Sequence, residues 1–129
     1  MEISKQSQMG MGRPRINTIV IDDDRDVRDL FVELLQMNDV NVVATGSNGR
    51  EALELYKIHR PYLVFIDYLM PEYDGLYGAA KIKEFDPHAK IVLVSGSYFE
   101  NGKLDNLVGA ILKKPIEMVD VISTINKMV

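Results

Sequence analysis

The chain has 129 residues, a formal net charge of −4, 47% apolar and 26% charged residues, and no cysteine. Those figures describe one globular domain and exclude a disulfide framework, a thiolate metal site and cysteine nucleophile chemistry. The acidic balance excludes tracking nucleic-acid phosphates by bulk charge, and no apolar run reaches the length of a membrane span.

Residues 1–15 hold Gly10, Gly12 and Pro14 among polar side chains and lack the apolar core of a signal peptide. We expect a flexible leader there, with the fold occupying 16–129. Residues 16–21, INTIVI, form a short β-branched run that stops at Asp22, Asp23 and Asp24, and this reads as a buried strand. Val27, Leu30, Phe31, Leu34 and Leu35 then repeat at helical spacing, with Asp24 placed to cap the N-terminus. A second strand is predicted over 40–45. The turn Gly46-Ser47-Asn48-Gly49 leads to a helix over 50–59, which Pro61 stops.

The third strand, 62–66, is uniformly apolar and runs onto Asp67. The loop YLMPEYDG precedes a helix over 76–85, which Asp86-Pro87 breaks. The fourth strand, 90–94, runs onto Ser95. Turn-forming Gly96, Asn101, Gly102 and Asn106 surround a weak helical signal over 104–108, so a fourth helix is expected to be short or irregular. A fifth strand over 109–112 ends at Lys113-Lys114-Pro115, and a last helix over 116–128 presents Val119, Ile122 and Ile125 as its inner face.

Five apolar strands alternating with helical segments make an α/β chain, a parallel sheet with helices on both faces and right-handed crossovers. Two strand orders suit it, the flavodoxin-like 2-1-3-4-5 and the Rossmann-like 3-2-1-4-5. In both, ligands sit beyond the C-terminal strand ends. Asp22, Asp23, Asp67, Ser95 and Lys114 all stand at that edge. Three carboxylates gathered there repel; each pair at 4 Å and an effective dielectric of 20 costs about 4 kcal/mol. A hard cation removes the penalty, and Mg²⁺ accepts carboxylates, waters and a phosphoryl oxygen together. Lys114 and Ser95 would face a phosphoryl group from the other side. Taken singly, each of these residues reads as a cap, a turn or a solvated charge; their joint placement at four strand ends points to a site. His59 reads as a helix C-terminal residue and His88 as solvated. No G-x-G-x-x-G follows the first strand and no Walker-type loop is present, which disfavours dinucleotide and nucleoside-triphosphate chemistry.

In order along the chain, the motifs IVIDDD, LVFIDYLMPEYDG, IVLVSGS and AILKKP resemble the receiver domain of two-component response regulators, in particular the stand-alone, chemotaxis-regulator-like kind. The resemblance covers 16–129 and is most specific in D-x-x-M-P-x-x-D-G, Asp67 to Gly75, and in Lys114-Pro115. It implies a flavodoxin-like doubly wound sheet in the order 2-1-3-4-5. It also implies a signalling module rather than a conventional enzyme, a cytoplasmic setting and a monomer or weak dimer. By the resemblance Asp67 accepts a phosphoryl group from a sensor histidine kinase or a histidine phosphotransfer protein. Asp22, Asp23, Asp67 and the Leu69 carbonyl hold Mg²⁺, Lys114 pairs with the phosphoryl oxygens, and Ser95 swings in to bond them. A downstream effector protein reads the change. The Lys114-Pro115 peptide is expected to be cis.

Three departures from the family pattern stand out. Ile111 replaces the aromatic residue often found three before the lysine, with Tyr98 a candidate substitute. The span from Ser95 to Lys114 is short. Leu69, two residues after Asp67, should obstruct an attacking water and slow loss of the acyl phosphate. The chain closes at the last helix, so no output domain is expected to follow. Two other functions compete. One is a Mg²⁺-dependent aspartyl-phosphate phosphatase built on the D-x-D of Asp22 and Asp24, against which stands the lack of a cap and of a late acidic pair. The other is a docking module that is never phosphorylated.

Overall fold

The computed structural model describes residues 15–100 and 102–129. The expected leader therefore lies, Arg15 apart, outside the described residues. The strands are β1 (Asn17–Ile21), β2 (Asn41–Gly46), β3 (Leu63–Asp67), β4 (Ile91–Ser95) and β5 (Ala110–Lys113). The helices are α1 (Arg25–Met37), α2 (Gly49–His59), α3 (Gly75–Phe85) and α4 (Met118–Met128). All four strand pairings are parallel, and the order is β2-β1-β3-β4-β5. This is the flavodoxin-like order, with its switch point between β1 and β3.

Alternating strand side chains feed two apolar layers. On one face Val20, Phe65, Val92, Val94 and Leu112 pack against Phe31 and Leu35 of α1 and Val121 and Ile125 of α4. On the other, Ile19, Ile21, Val64, Ile66, Ile91 and Leu93 pack against Ala52 and Tyr56 of α2 and Ala79 and Ile82 of α3. β3 and β4 are buried at every position, as central parallel strands must be. The helices start on side-chain caps. Asp24 accepts from the Asp26 and Val27 amides, Asn48 from Arg50 and Glu51, and Asp74 from Tyr77.

The structure moves several predicted boundaries. Strands β2, β3, β4 and β5 each end one residue later than their apolar runs, taking in Gly46, Asp67, Ser95 and Lys113. Backbone pairing does not stop where apolar side chains stop: Asp67 pairs with Val94, and Ser95 with Lys113. The last helix starts at Met118, and its inner face is not Val119-Ile122-Ile125. Val119 is 72% exposed, while Val121 and Ile125, four apart, are fully buried with Met118 packed beside them. Between β4 and β5 the described residues hold no helix. Successive turns over 102–107 lay Leu104, Leu107 and Val108 on the α2–α3 face. That short cover leaves Ile111 41% exposed on β5.

Close backbone approach sets the entry to α2 and α3. The Gly49 amide donates to the Tyr73 carbonyl at 2.6 Å. A methyl on Gly78 would stand 2.7 Å from Ile66 Cδ1 and 3.0 Å from Gly49 Cα, and one on Gly75 would strike the Asp67 carbonyl. Glycine is needed at these positions for space, so the end of β3 and the loop that follows Asp67 lie directly against both helix starts.

Candidate functional site

All five side chains singled out in the sequence meet at the C-terminal edge of the sheet. Asp22, Asp23, Asp67, Ser95 and Lys114 line one hollow of about 380 Å³, with Tyr68, Leu69 and Gly96 at its walls. Ser95 is 2% exposed, Asp67 6% and Asp22 7%. One carboxylate oxygen from each of Asp22, Asp23 and Asp67 lies within 4.8 Å of the others. Lys114 Nζ stands 2.7 Å from Asp67 Oδ1. The Lys114-Pro115 peptide is cis.

Local hydrogen bonds aim these groups. The Asp22 amide donates to the Gly46 carbonyl at 3.0 Å, and Asp22 Oδ1 accepts from the Asp24 amide at 2.9 Å. The Ser97 amide donates to Ser95 Oγ at 2.9 Å, which leaves the hydroxyl proton free to point into the hollow. The Lys114 amide donates to the Ser95 carbonyl at 2.9 Å, so the tips of β4 and β5 are joined at the site.

The site is electrostatically strained. Burial pushes the Asp22 carboxyl up; the Asp24 amide pulls it back, and the charge of Asp67 raises it again. Burial likewise pushes Asp67 up and prevails over the hydrogen bond and charge of Lys114. Burial lowers the Lys114 ammonium, but its bond to Asp67 and the fields of Asp67, Asp22 and Asp23 outweigh that and leave it raised. Three acidic groups face one cation in a half-enclosed space. An all-oxygen donor set with this spacing and excess charge fits a hard divalent ion. Beside the hollow, and sharing Lys114 with it, runs an apolar groove of about 330 Å³ between Val27, Leu30, Leu34, Pro115 and Ile116.

Residues 18–126 match the model of the response regulator receiver domain. The chain belongs to that family. The receiver domain is a signalling module of two-component systems rather than a conventional enzyme. The chain is 35% identical over 112 residues to the chemotaxis protein CheY of Bacillus subtilis, covering 84% of this chain and 93% of that protein. It is 32% identical to CheY of Halobacterium salinarum, covering 84% and 92%. Among solved structures, the CheX-CheY-BeF3-Mg complex from Borrelia burgdorferi aligns with a TM-score of 0.78 at 27% identity, covering 86% of this chain and 87% of that one. The response regulator TrrA of Thermotoga maritima, in complex with Mg²⁺-BeF, aligns with a TM-score of 0.79 at 26% identity, covering 88% and 98%.

Sequence reasoning missed some features of this receiver domain. Tyr98, the candidate substitute for the absent strand-five aromatic, is 81% exposed. Its neighbour Phe99 packs inward instead, edge-on to Tyr68 at 5.1 Å between ring centroids. Arg28, on α1, reaches back under the site to the Asp22 carbonyl. Neither carries a sequence signal, because each depends on which loops the fold brings together.

Proposed function

We propose that this receiver domain accepts a phosphoryl group on Asp67 from a phosphohistidine of a sensor kinase or phosphotransfer protein, and passes a conformational signal to a partner protein in the cytoplasm. The observation that carries the reading is the convergence of Asp22, Asp23 and Asp67 in one hollow with Lys114 on Asp67. An Asp67 oxygen attacks phosphorus as the donor P–N bond breaks, and the imidazole nitrogen keeps the bonding pair. The work of the site is placement and charge neutralisation. Asp22, Asp23, Asp67 and the Leu69 carbonyl would hold Mg²⁺, which when bound offsets the carboxylate charge and draws off phosphoryl charge. Lys114 moves from the Asp67 carboxylate to the phosphoryl oxygens. Ser95 donates its free hydroxyl proton to them, and because its carbonyl is bonded to the Lys114 amide, β4 and β5 respond together. The exposed groove beside the hollow offers apolar surface to the donor.

In Mg²⁺ and acetyl phosphate, the protein is expected to gain one phosphoryl mass, and Asp67→Asn to gain none. Labelling that survives Asp67→Asn would overturn the assignment. Turnover of a phosphomonoester that depends on Asp22 would favour a phosphatase, and no labelling at all a docking module. Leu69 stands at the mouth of the hollow, 66% exposed. The phosphorylated parent should therefore release phosphate more slowly than Leu69→Asn.

A further inference from the structure

Arg28, on α1, is a largely covered cation beside the site. Its side chain keeps 15% of its surface exposed, although a guanidinium is always charged. Among the described residues its Nε is buried without a hydrogen-bond partner, and the nearest carboxylate, Asp29, is largely solvated and 4.0 Å away. A charge with little exposed surface and only a distant, solvated carboxylate beside it is costly to bury, and an apolar side chain of equal length would serve packing alone better. What the guanidinium does make is two bonds from Nη1, to the Asp22 carbonyl at 3.1 Å and to Ser47 Oγ at 3.3 Å. One residue of α1 thus ties the turn after β1 to the turn after β2.

The carbonyl it holds belongs to the peptide joining Asp22 to Asp23. Fixing that plane fixes the direction from which Asp23 leaves the chain. The same turn is held by the Asp22 amide on Gly46 and by Asp22 Oδ1 on the Asp24 amide. Both Arg28 bonds go to a carbonyl and a hydroxyl, so they leave the carboxylate oxygens to a cation. Lys114, by contrast, contacts a carboxylate directly.

We infer that Arg28 is a positioning residue for the Asp22–Asp23 pair: it clamps two loops so that mutually repelling carboxylates stay converged before a cation arrives. The inference rests on the proposed metal site. Partners that orient ligands in this way typically account for one to two orders of magnitude in metal affinity.

The test uses the full chain as parent, Arg28→Met, Arg28→Lys and Ser47→Ala, with Mg²⁺ affinity by NMR titration and amide hydrogen exchange in the metal-free state. Arg28→Met should weaken Mg²⁺ binding about ten-fold, with partial recovery in Arg28→Lys and a smaller loss in Ser47→Ala. Without metal, the Asp22 and Asp24 amides of Arg28→Met should exchange about ten-fold faster while those of Val64 and Phe65 hold steady. Affinity within two-fold of the parent and unchanged exchange at Asp22 and Asp24 would overturn the inference. So would equal acceleration in β3, which is the mark of a merely structural residue. A parent that binds no Mg²⁺ contradicts the proposed function instead, and the exchange measurement still decides whether Arg28 clamps the turn. Should Arg28→Met fail to fold, Arg28→Lys and Ser47→Ala carry the same comparison.

Discussion

At the C-terminal edge of the sheet, Asp67 is almost wholly buried beside two further carboxylates, and burial holds its carboxyl above the ordinary range. At the opposite edge, Asp86 accepts the Tyr56 hydroxyl at 2.6 Å and the His88 amide at 3.0 Å, and these bonds hold it below that range. Three cations at that edge rest over aromatic rings. Arg60 lies 4.7 Å and Lys57 5.3 Å from the centre of the Phe85 ring, and Lys90 4.5 Å from that of Tyr62. One end of the sheet is finished with side-chain bolts. The other is built by close backbone approach through Gly49, Gly75 and Gly78 and left with carboxylates in excess. Matched charge marks scaffold here, and unmatched charge marks the site.

The largest effect should come from crowding the site edge. Gly78→Ala must displace Ile66 or part α2 from α3 and should lower stability by about 1–3 kcal/mol in denaturant unfolding. Gly96→Ala, with nothing within 4 Å of the added methyl, should stay within about 0.5 kcal/mol. Equal losses would show that the glycines do not distinguish the two α-helix starts from the open loop.

Next in size is an opposition in pH dependence. A raised Asp22 pKa means that the folded state binds the proton more tightly than the unfolded one. Its contribution is therefore present at acid pH and lost as pH rises through the folded value. Asp22→Asn should raise the melting temperature of the metal-free protein at neutral pH, and the gain should fade as pH drops towards the ordinary carboxylate range. Asp86 behaves oppositely: its contribution is present above the unfolded value and lost as pH falls through the lower folded one. Tyr56, pushed up to about 12 by burial and by Asp86, stabilises below its ordinary pKa and loses that contribution as pH rises through the folded value. Tyr56→Phe should therefore lower stability at neutral pH and flatten both its acid and its alkaline decline. Parallel pH profiles for the two variants would contradict the comparison.

The smallest effect contrasts two residues in the left-handed region, Glu72 at φ 67° and Arg60 at φ 44°. Glu72→Gly relieves that strain and should raise stability by up to about 1 kcal/mol. Arg60→Gly relieves similar strain but gives up the stack on Phe85, worth about 0.5–1 kcal/mol, so no gain is expected. Thermal unfolding of the two variants side by side checks this.

Much of this arrangement was legible in the chain itself, for a definite reason. Fully buried parallel strands need β-branched runs on both faces, so 16–21, 62–66 and 90–94 announced themselves, and polar residues closing such runs fall at the ligand edge of the sheet. The meeting of Asp22, Asp23, Asp67, Ser95 and Lys114 in one hollow followed from that placement. Legibility failed where the deciding partner is distant in sequence. Val119 and Val121 are alike as residues, and only the packing of α4 on β4 and β5 selects Val121. The same holds for the Gly49–Gly78 approach, for Phe99 rather than Tyr98 turning inward, and for Arg28 reaching Ser47. The weak signal over 104–108 was ambiguous because it is neither helix nor loop but a chain of turns that supplies three apolar side chains to the core.

The proposed function requires Asp22, Asp23 and Asp67 to act as one divalent-cation site. Thermal unfolding across a Mg²⁺ titration, at pH 7 and fixed ionic strength, tests it most directly. The melting temperature of the parent should climb with Mg²⁺ as a ligand bound only to the folded state requires, and the climb should vanish in Asp22→Asn/Asp23→Asn. A parent that ignores Mg²⁺, or a double variant that responds as strongly as the parent, would contradict the account.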